Sequence, residues 1–434
     1  MVGKSRTVVA IVAVALVTMM AISSLEEFSS AALPAQIPTA SDVITTSQAS
    51  DATSAPSYMI VGGQTGTWGT QSQYPELYKL SLGADVLAAS LITIGGEGTV
   101  WSGGYNGSAW LISGWGSGKY LNPYVTFYND TLTGKVRLSD YSEIQSEEQE
   151  WAGGDVFDVG WNGTAWLLTG LGQGALHPGD GITNHMSMAV LSADGTFTDL
   201  STMIPHQQDL ILYANAWNGN YWLVGGGWYG FSQGRLYILS GDDITDITAK
   251  IASAVPTFNS IQSIAWNGEY FLIGGVGFLA EYDGSTFTDL TPQLNQALSP
   301  SQSLNGTNAS AVNAIAWVRG SWLLAGGSPV AYYPGVGIHS AWVASFTPGT
   351  ETAGGKGSSF VDLTSAVIPS YILQGEYNST ILTVTCSTGG GCAVGGADSS
   401  GGVLLWYDGA NSIDLSATVN SNMSYVQWIG LPGS

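Results

Sequence analysis

A short pattern recurs along this chain and limits what it can fold into. An apolar run ends in Trp or Tyr, a tight turn follows, and a second apolar run begins. It reads Trp161-Asn162-Gly163, Trp217-Asn218-Gly219 and Trp266-Asn267-Gly268, with variants at Tyr105-Asn106-Gly107 and at Trp317 before Arg319-Gly320. The successive Trp residues from 161 to 317 lie 56, 49 and 51 residues apart. Self-similarity at such a period marks a repeat architecture. Asn-Gly between apolar runs is a strong hairpin signal, because both turn residues tolerate φ > 0. Each unit therefore opens with two antiparallel strands.

The residue before the aromatic is small at Gly160, Ala216, Ala265 and Ala316. Small residues suit an innermost strand crowded around an axis. A Gly-Gly pair ends the second strand. A third strand follows, as at Phe278-Leu279-Ala280-Glu281-Tyr282, then an Asp283-Gly284 turn and a fourth strand, Phe287-Thr288-Asp289-Leu290. The same tail recurs at 197–200 and 360–363. Four strands per repeat make a propeller blade. The sequence thus predicts an all-β fold: a β-propeller of about seven four-stranded blades. Its ends are complementary. Tyr58-Met59-Ile60-Val61-Gly62-Gly63 matches a second strand without a first, and Ser424-Tyr425-Val426-Gln427-Trp428-Ile429-Gly430 matches a first strand without a second. A C-terminal strand completing the first blade would remove the open edges.

The repeat resembles the kelch type of propeller, the family of the galactose oxidase central domain. The carriers are the doublets Gly225-Gly226, Gly274-Gly275, Gly326-Gly327 and Gly395-Gly396, the Tyr-Asp turns at 282–283 and 407–408, and the aromatic-x-x-Leu tail. The resemblance spans 58–434 and departs in having Trp before the turn and Phe in the tail. Propellers host many functions, so it speaks to fold. Copper oxidases of that type need Tyr, His and a Tyr–Cys crosslink. Here Cys386 and Cys392 flank Ser387-Thr388-Gly389-Gly390-Gly391, where other units have the Asn-Gly hairpin, and are expected to form a disulfide.

Ahead of the repeats, Lys4 and Arg6 precede an apolar run from Val8 to Ile22. A basic start and such a run make an export signal. Residues 1–25 are read as a signal peptide, cleavable after Ser23, or as an N-terminal hydrophobic membrane helix; either leaves the rest extracytoplasmic. Residues 26–57, rich in Ser, Thr, Ala and Pro, read as a disordered stalk, and 58–434 as the propeller.

The net charge is −22, with 10 Lys and Arg against 32 Asp and Glu. Such a surface repels phosphate backbones, which excludes nucleic acid as a partner. The arginines of the domain, Arg137, Arg235 and Arg319, do not converge as a sialidase triad would require. His177, Asp180 and His185 share an insertion and are a candidate metal site, although loop histidines more often face solvent. No cofactor is expected.

The loops after the second strands emerge on one face. Trp68, Trp115, Tyr120, Trp228, Tyr229, Tyr332 and Tyr333 lie there and read as a ligand-binding set. Sequons at Asn106, Asn129, Asn162, Asn305, Asn308, Asn378 and Asn422 are candidate glycosylation sites. The function expected is a glycoprotein of the cell surface that binds a glycan or another surface protein, without catalysis. The alternatives are an enzyme acting on polysaccharide or peptide, and a structural envelope component.

Overall fold

The computed structural model describes residues 58–65, 74–81, 88–93, 98–116, 122–129, 131–137, 154–172, 185–205, 210–228, 233–304, 310–328, 340–349, 359–373, 379–398, 400–419 and 423–432. The apolar run from Val8 to Ile22 and the linker 26–57 lie outside them. Among the described residues no helix is long and apolar enough to cross a membrane, and this corrects the expectation of a membrane helix.

The strands form antiparallel four-stranded meanders, as the repeat predicts. In one unit Leu210–Trp217 pairs with Trp222–Trp228, which pairs with Arg235–Ser240, which pairs with Asp243–Asp246. Two meanders, 311–362 and 380–414, share one eight-stranded sheet through the single pair Gly327↔Thr380. The first strands neighbour one another in chain order: Gly98–Tyr105, Asp155–Trp161, Leu210–Trp217, Ile261–Trp266, Ala311–Val318, Thr380–Cys386 and Tyr425–Gly430. The last of these neighbours the first, so the innermost strands close a ring. As expected, Tyr425–Gly430 belongs to the first sheet. It pairs with Tyr58–Thr65 through Ile60↔Gly430, Gly62↔Trp428 and Gln64↔Tyr425. Tyr74–Ser81 and Ala88–Thr93 complete that sheet.

Local chemistry explains the turns. Asn162 Oδ1 accepts from the backbone N–H of Thr164 at 2.9 Å and Ala165 at 2.7 Å, and Gly163 sits at φ +97°. Asn106, Asn218 and Asn267 repeat the arrangement. In the fifth copy Arg319 itself takes φ +48°, and its guanidinium donates to the Gly389 carbonyl in the neighbouring hairpin. That hairpin is bridged by the Cys386–Cys392 disulfide, with Cα atoms 4.0 Å apart at a facing pair.

The tail carries a device that its sequence displays but that a strand reading overlooks. Asp289 Oδ1 accepts from Thr291 N–H at 2.9 Å, and Thr291 Oγ1 accepts from Leu279 N–H at 3.0 Å. The short outer strand has ended there, so the hydroxyl replaces it on the third strand's edge. Asp199/Ser201, Asp246/Thr248, Asp362/Thr364 and Asp414/Ser416 do the same. The core fills the gaps between adjacent sheets. Trp166, Trp322 and Trp342 are its largest side chains. Trp322 Nε1 donates to Tyr270 Oη and Trp342 Nε1 to Ser310 Oγ, both at 2.9 Å, so these buried indoles are satisfied.

Candidate functional site

Every innermost strand carries one extra residue near its start. The register shifts between Val100 and Ser102, Val156 and Asp158, Leu212 and Ala214, Ile261 and Ser263, Val312 and Ala314, and Ile381 and Thr383. In the closing strand it shifts between Trp428 and Val426. A bulge leaves its residue unpaired and re-aims its side chain. Among the described residues the innermost strands have no ladder on their inner edge beyond the single pairs Gly327↔Thr380 and Val276↔Ala311, so the bulges form a belt on the wall of the ring. They lie toward the face on which the second strands end.

The glycine doublets are part of this device, not only strand ends as the sequence reading had them. Gly225-Gly226 and Gly62-Gly63 lie within their strands, opposite the bulges. A Cβ on Gly226 would stand 1.8 Å from the Ile211 carbonyl oxygen, two residues before the bulge. Gly114 against Thr99 and Gly326 against Ala311 give 1.9 Å each. Gly63, Gly170, Gly275 and Gly396 meet the corresponding carbonyls of their own units. The bulged strand thus lies on a floor that only glycine provides.

The belt is chemically divided. Trp101, Phe157 and Tyr213 form one arc, with ring centroids 5.0 and 5.2 Å apart. Trp101 Nε1 donates to Asp155 Oδ1 at 3.2 Å. The opposite arc holds Gln262, Asn313, Leu382 and Gln427. Gln262 Nε2 donates to Ser260 Oγ at 3.0 Å and to the Ile261 carbonyl at 3.3 Å. Asn313 Nδ2 donates to the Ser328 carbonyl at 3.0 Å and the Ile381 carbonyl at 2.9 Å. The amide oxygens of both are buried without a partner among the described residues.

Next to the belt, Asp158 ties three innermost strands together. It accepts from Ser102 Oγ at 2.9 Å and Val159 N–H at 2.9 Å through Oδ1, and from Asn215 N–H at 2.8 Å through Oδ2. Desolvation outweighs these bonds and pushes its carboxyl up to about 6. Asn215 also explains a repeat position. A Cβ on Gly160 would meet Asn215 Oδ1 at 2.2 Å, so this unit has Gly where three others have Ala216, Ala265 and Ala316.

Of the predicted aromatic set, Trp228 ends its strand 41% exposed. Trp115 is half-buried one position earlier in the corresponding strand, opposite Thr99, and packs against the Trp101 cluster. Tyr74, 48% exposed, opens a third strand on the same face. Trp68, Tyr120, Tyr229, Tyr332 and Tyr333 lie outside the described residues, as do His177, Asp180 and the side chain of His185. No group of three or more His, Cys, Asp or Glu able to hold a metal occurs among the described residues. Asn129 is exposed at a strand end, and the side-chain oxygens of Asn106 and Asn162 serve the hairpin turns. Asn305, Asn308, Asn378 and Asn422 lie outside the described residues.

No protein-family model and no curated protein matches the chain. Among solved structures it is similar to an acylaminoacyl peptidase from Pyrococcus horikoshii, at 9% identity and TM-score 0.46, over 85% of this chain and 53% of that one. It is also similar to the extracellular domain of a one-component system from B. thetaiotaomicron, at 12% identity and TM-score 0.41, over 70% of this chain and 31% of that one. A third is the WD40 β-propeller domain of Doa1, at 12% identity and TM-score 0.43, over 81% of this chain and 96% of that one. The chain spans about half of the peptidase and about a third of the second protein. The propeller assignment rests on the strand order and the closed ring described above.

Proposed function

We propose that this chain is an extracytoplasmic binding propeller of seven kelch-like blades, and that it takes a glycan on the face where its second strands end. The observation that carries this reading is Trp228, 41% exposed at a strand end on the face toward which the bulge belt lies. A flat, exposed aromatic suits a sugar, which offers an apolar ring face and a rim of hydroxyls. Other exposed apolar side chains include Leu91, Val361 and Ile413, each on the outer strand of a different unit. The Asp158 carboxylate is engaged by three donors in the wall, which fits a structural role better than a catalytic one. The oxidised cysteine pair and the basic, apolar N-terminal sequence support a place outside the cytoplasm.

The test is a glycan array probed with the full chain and with Trp228→Ala. The reading predicts binding to at least one glycan class, weakened at least tenfold in the variant. Absence of glycan binding, or unchanged binding by the variant, overturns it.

A further inference from the structure

We infer that the bulge belt holds a site for one neutral sugar residue, with Gln262 Oε1 and Asn313 Oδ1 accepting from its hydroxyls and the aromatic arc facing its ring. This rests on the glycan-binding reading and locates a subsite that the exposed aromatics do not supply. Gln262 and Asn313 are bulge residues of neighbouring strands, so the closed ring places them side by side at one level.

Their orientation is fixed by chemistry. The Ile261, Ser328 and Ile381 carbonyls can only accept, so the amide nitrogens must face them and the oxygens must face away. The two residues are only 7% and 5% exposed, and neither oxygen has a donor among the described residues. Buried acceptors are normally satisfied, and these two call for a donor beyond the described residues. A hydroxyl-bearing ligand supplies one.

The belt also selects by charge. Its residues, Trp101, Phe157, Tyr213, Gln262, Asn313, Leu382 and Gln427, are all formally neutral. The overall net charge of −22 opposes anions. With Tyr213 next to Gln262 around the ring, one sugar can meet an aromatic and an amide together. A neutral residue is therefore preferred over a uronic or sialic acid.

The experiment is calorimetric titration of the full chain with maltotriose, cellotriose, mannotriose and tri-N-acetylchitotriose, with trigalacturonate as the anionic comparison. The variants are Gln262→Met and Asn313→Leu, which keep volume and remove the acceptors, together with Trp228→Ala. At least one neutral trisaccharide is expected to bind and trigalacturonate not to. Each acceptor variant is expected to weaken binding about tenfold while retaining its near-ultraviolet circular dichroism.

Hydrogen exchange of the unmodified chain gives a second readout should a variant fail to fold. Bound sugar is expected to slow exchange at 211–214, 261–263 and 311–314, and not at the 218–221 turn. Neutral binding that is lost in Trp228→Ala but kept in both acceptor variants, without protection at these segments, overturns the subsite and leaves the glycan-binding face standing. Binding by none of the neutral trisaccharides overturns the subsite. Acceptor variants that gain stability with unchanged affinity mean that the oxygens hold only water, which overturns it as well.

Discussion

Replacing Gly226 with Ala tests the link between the glycine floor and the bulges. The added Cβ would stand 1.8 Å from the Ile211 carbonyl oxygen and 2.8 Å from its carbonyl carbon. Ordinary carbon–oxygen contact needs about 3.3 Å, and both groups are backbone inside one ladder, so neither swings away cheaply. The strand must give up the bulge or separate from its partner. Overpacking costs about 1–3 kcal/mol when side chains can adjust, and more when they cannot. We expect at least ~3 kcal/mol, which for a domain of this size lowers Tm by roughly 4 °C.

Gly219→Ala is the control. Gly219 takes φ +98° with nothing within 4 Å of its Cβ, so only conformational strain of about 1 kcal/mol applies. Thermal unfolding followed by far- and near-ultraviolet circular dichroism separates the two. Gly226→Ala should also alter the aromatic signal, because Tyr213 is the residue that the bulge positions. A Gly226→Ala chain no less stable than Gly219→Ala would refute the reasoning.

Other outcomes follow from the same structure. The Asp158 carboxyl is raised to about 6, above its unfolded value, so its contribution to stability is full below about pH 4 and is lost as pH climbs through about 6. Asp158→Asn should flatten the pH dependence of Tm across that window, by up to about 3 kcal/mol, as measured by calorimetry between pH 3 and 8. Reducing the Cys386–Cys392 bridge opens a short loop and should cost about 2 kcal/mol in denaturant titrations. Thr291→Val keeps shape but strands the Leu279 N–H, and should cost ~1–3 kcal/mol, with faster amide exchange at Leu279.

The parts legible in sequence were those written locally. An Asn-Gly turn depends on two residues and their φ angles, and Asn162-Gly163 forms as the sequence says. The complementary ends were legible because Tyr58–Thr65 and Tyr425–Gly430 each matched half of a repeat. The bulges were not. A bulge is a mismatch of register between two strands, and simple alternation places Phe157 on a sheet face like any neighbour. The signal was divided between an oversized residue in the first strand and a glycine inside the second, such as Tyr213 and Gly226. The Gly-Gly pairs were visible, but read as strand ends they hid what they face. The candidate site was half legible for the same reason. Trp228 could be placed on its face by counting strands, whereas Gln262 and Asn313 gained meaning only once the ring set them side by side.

Ring closure by the C-terminal strand is the claim on which the rest depends, and crosslinking tests it most directly. Val61 and Ile429 face each other across the closing pair. A Val61→Cys/Ile429→Cys chain should form a disulfide in the folded state, seen as faster electrophoretic migration that reductant abolishes. Two free thiols at these positions in a folded chain would contradict the closure.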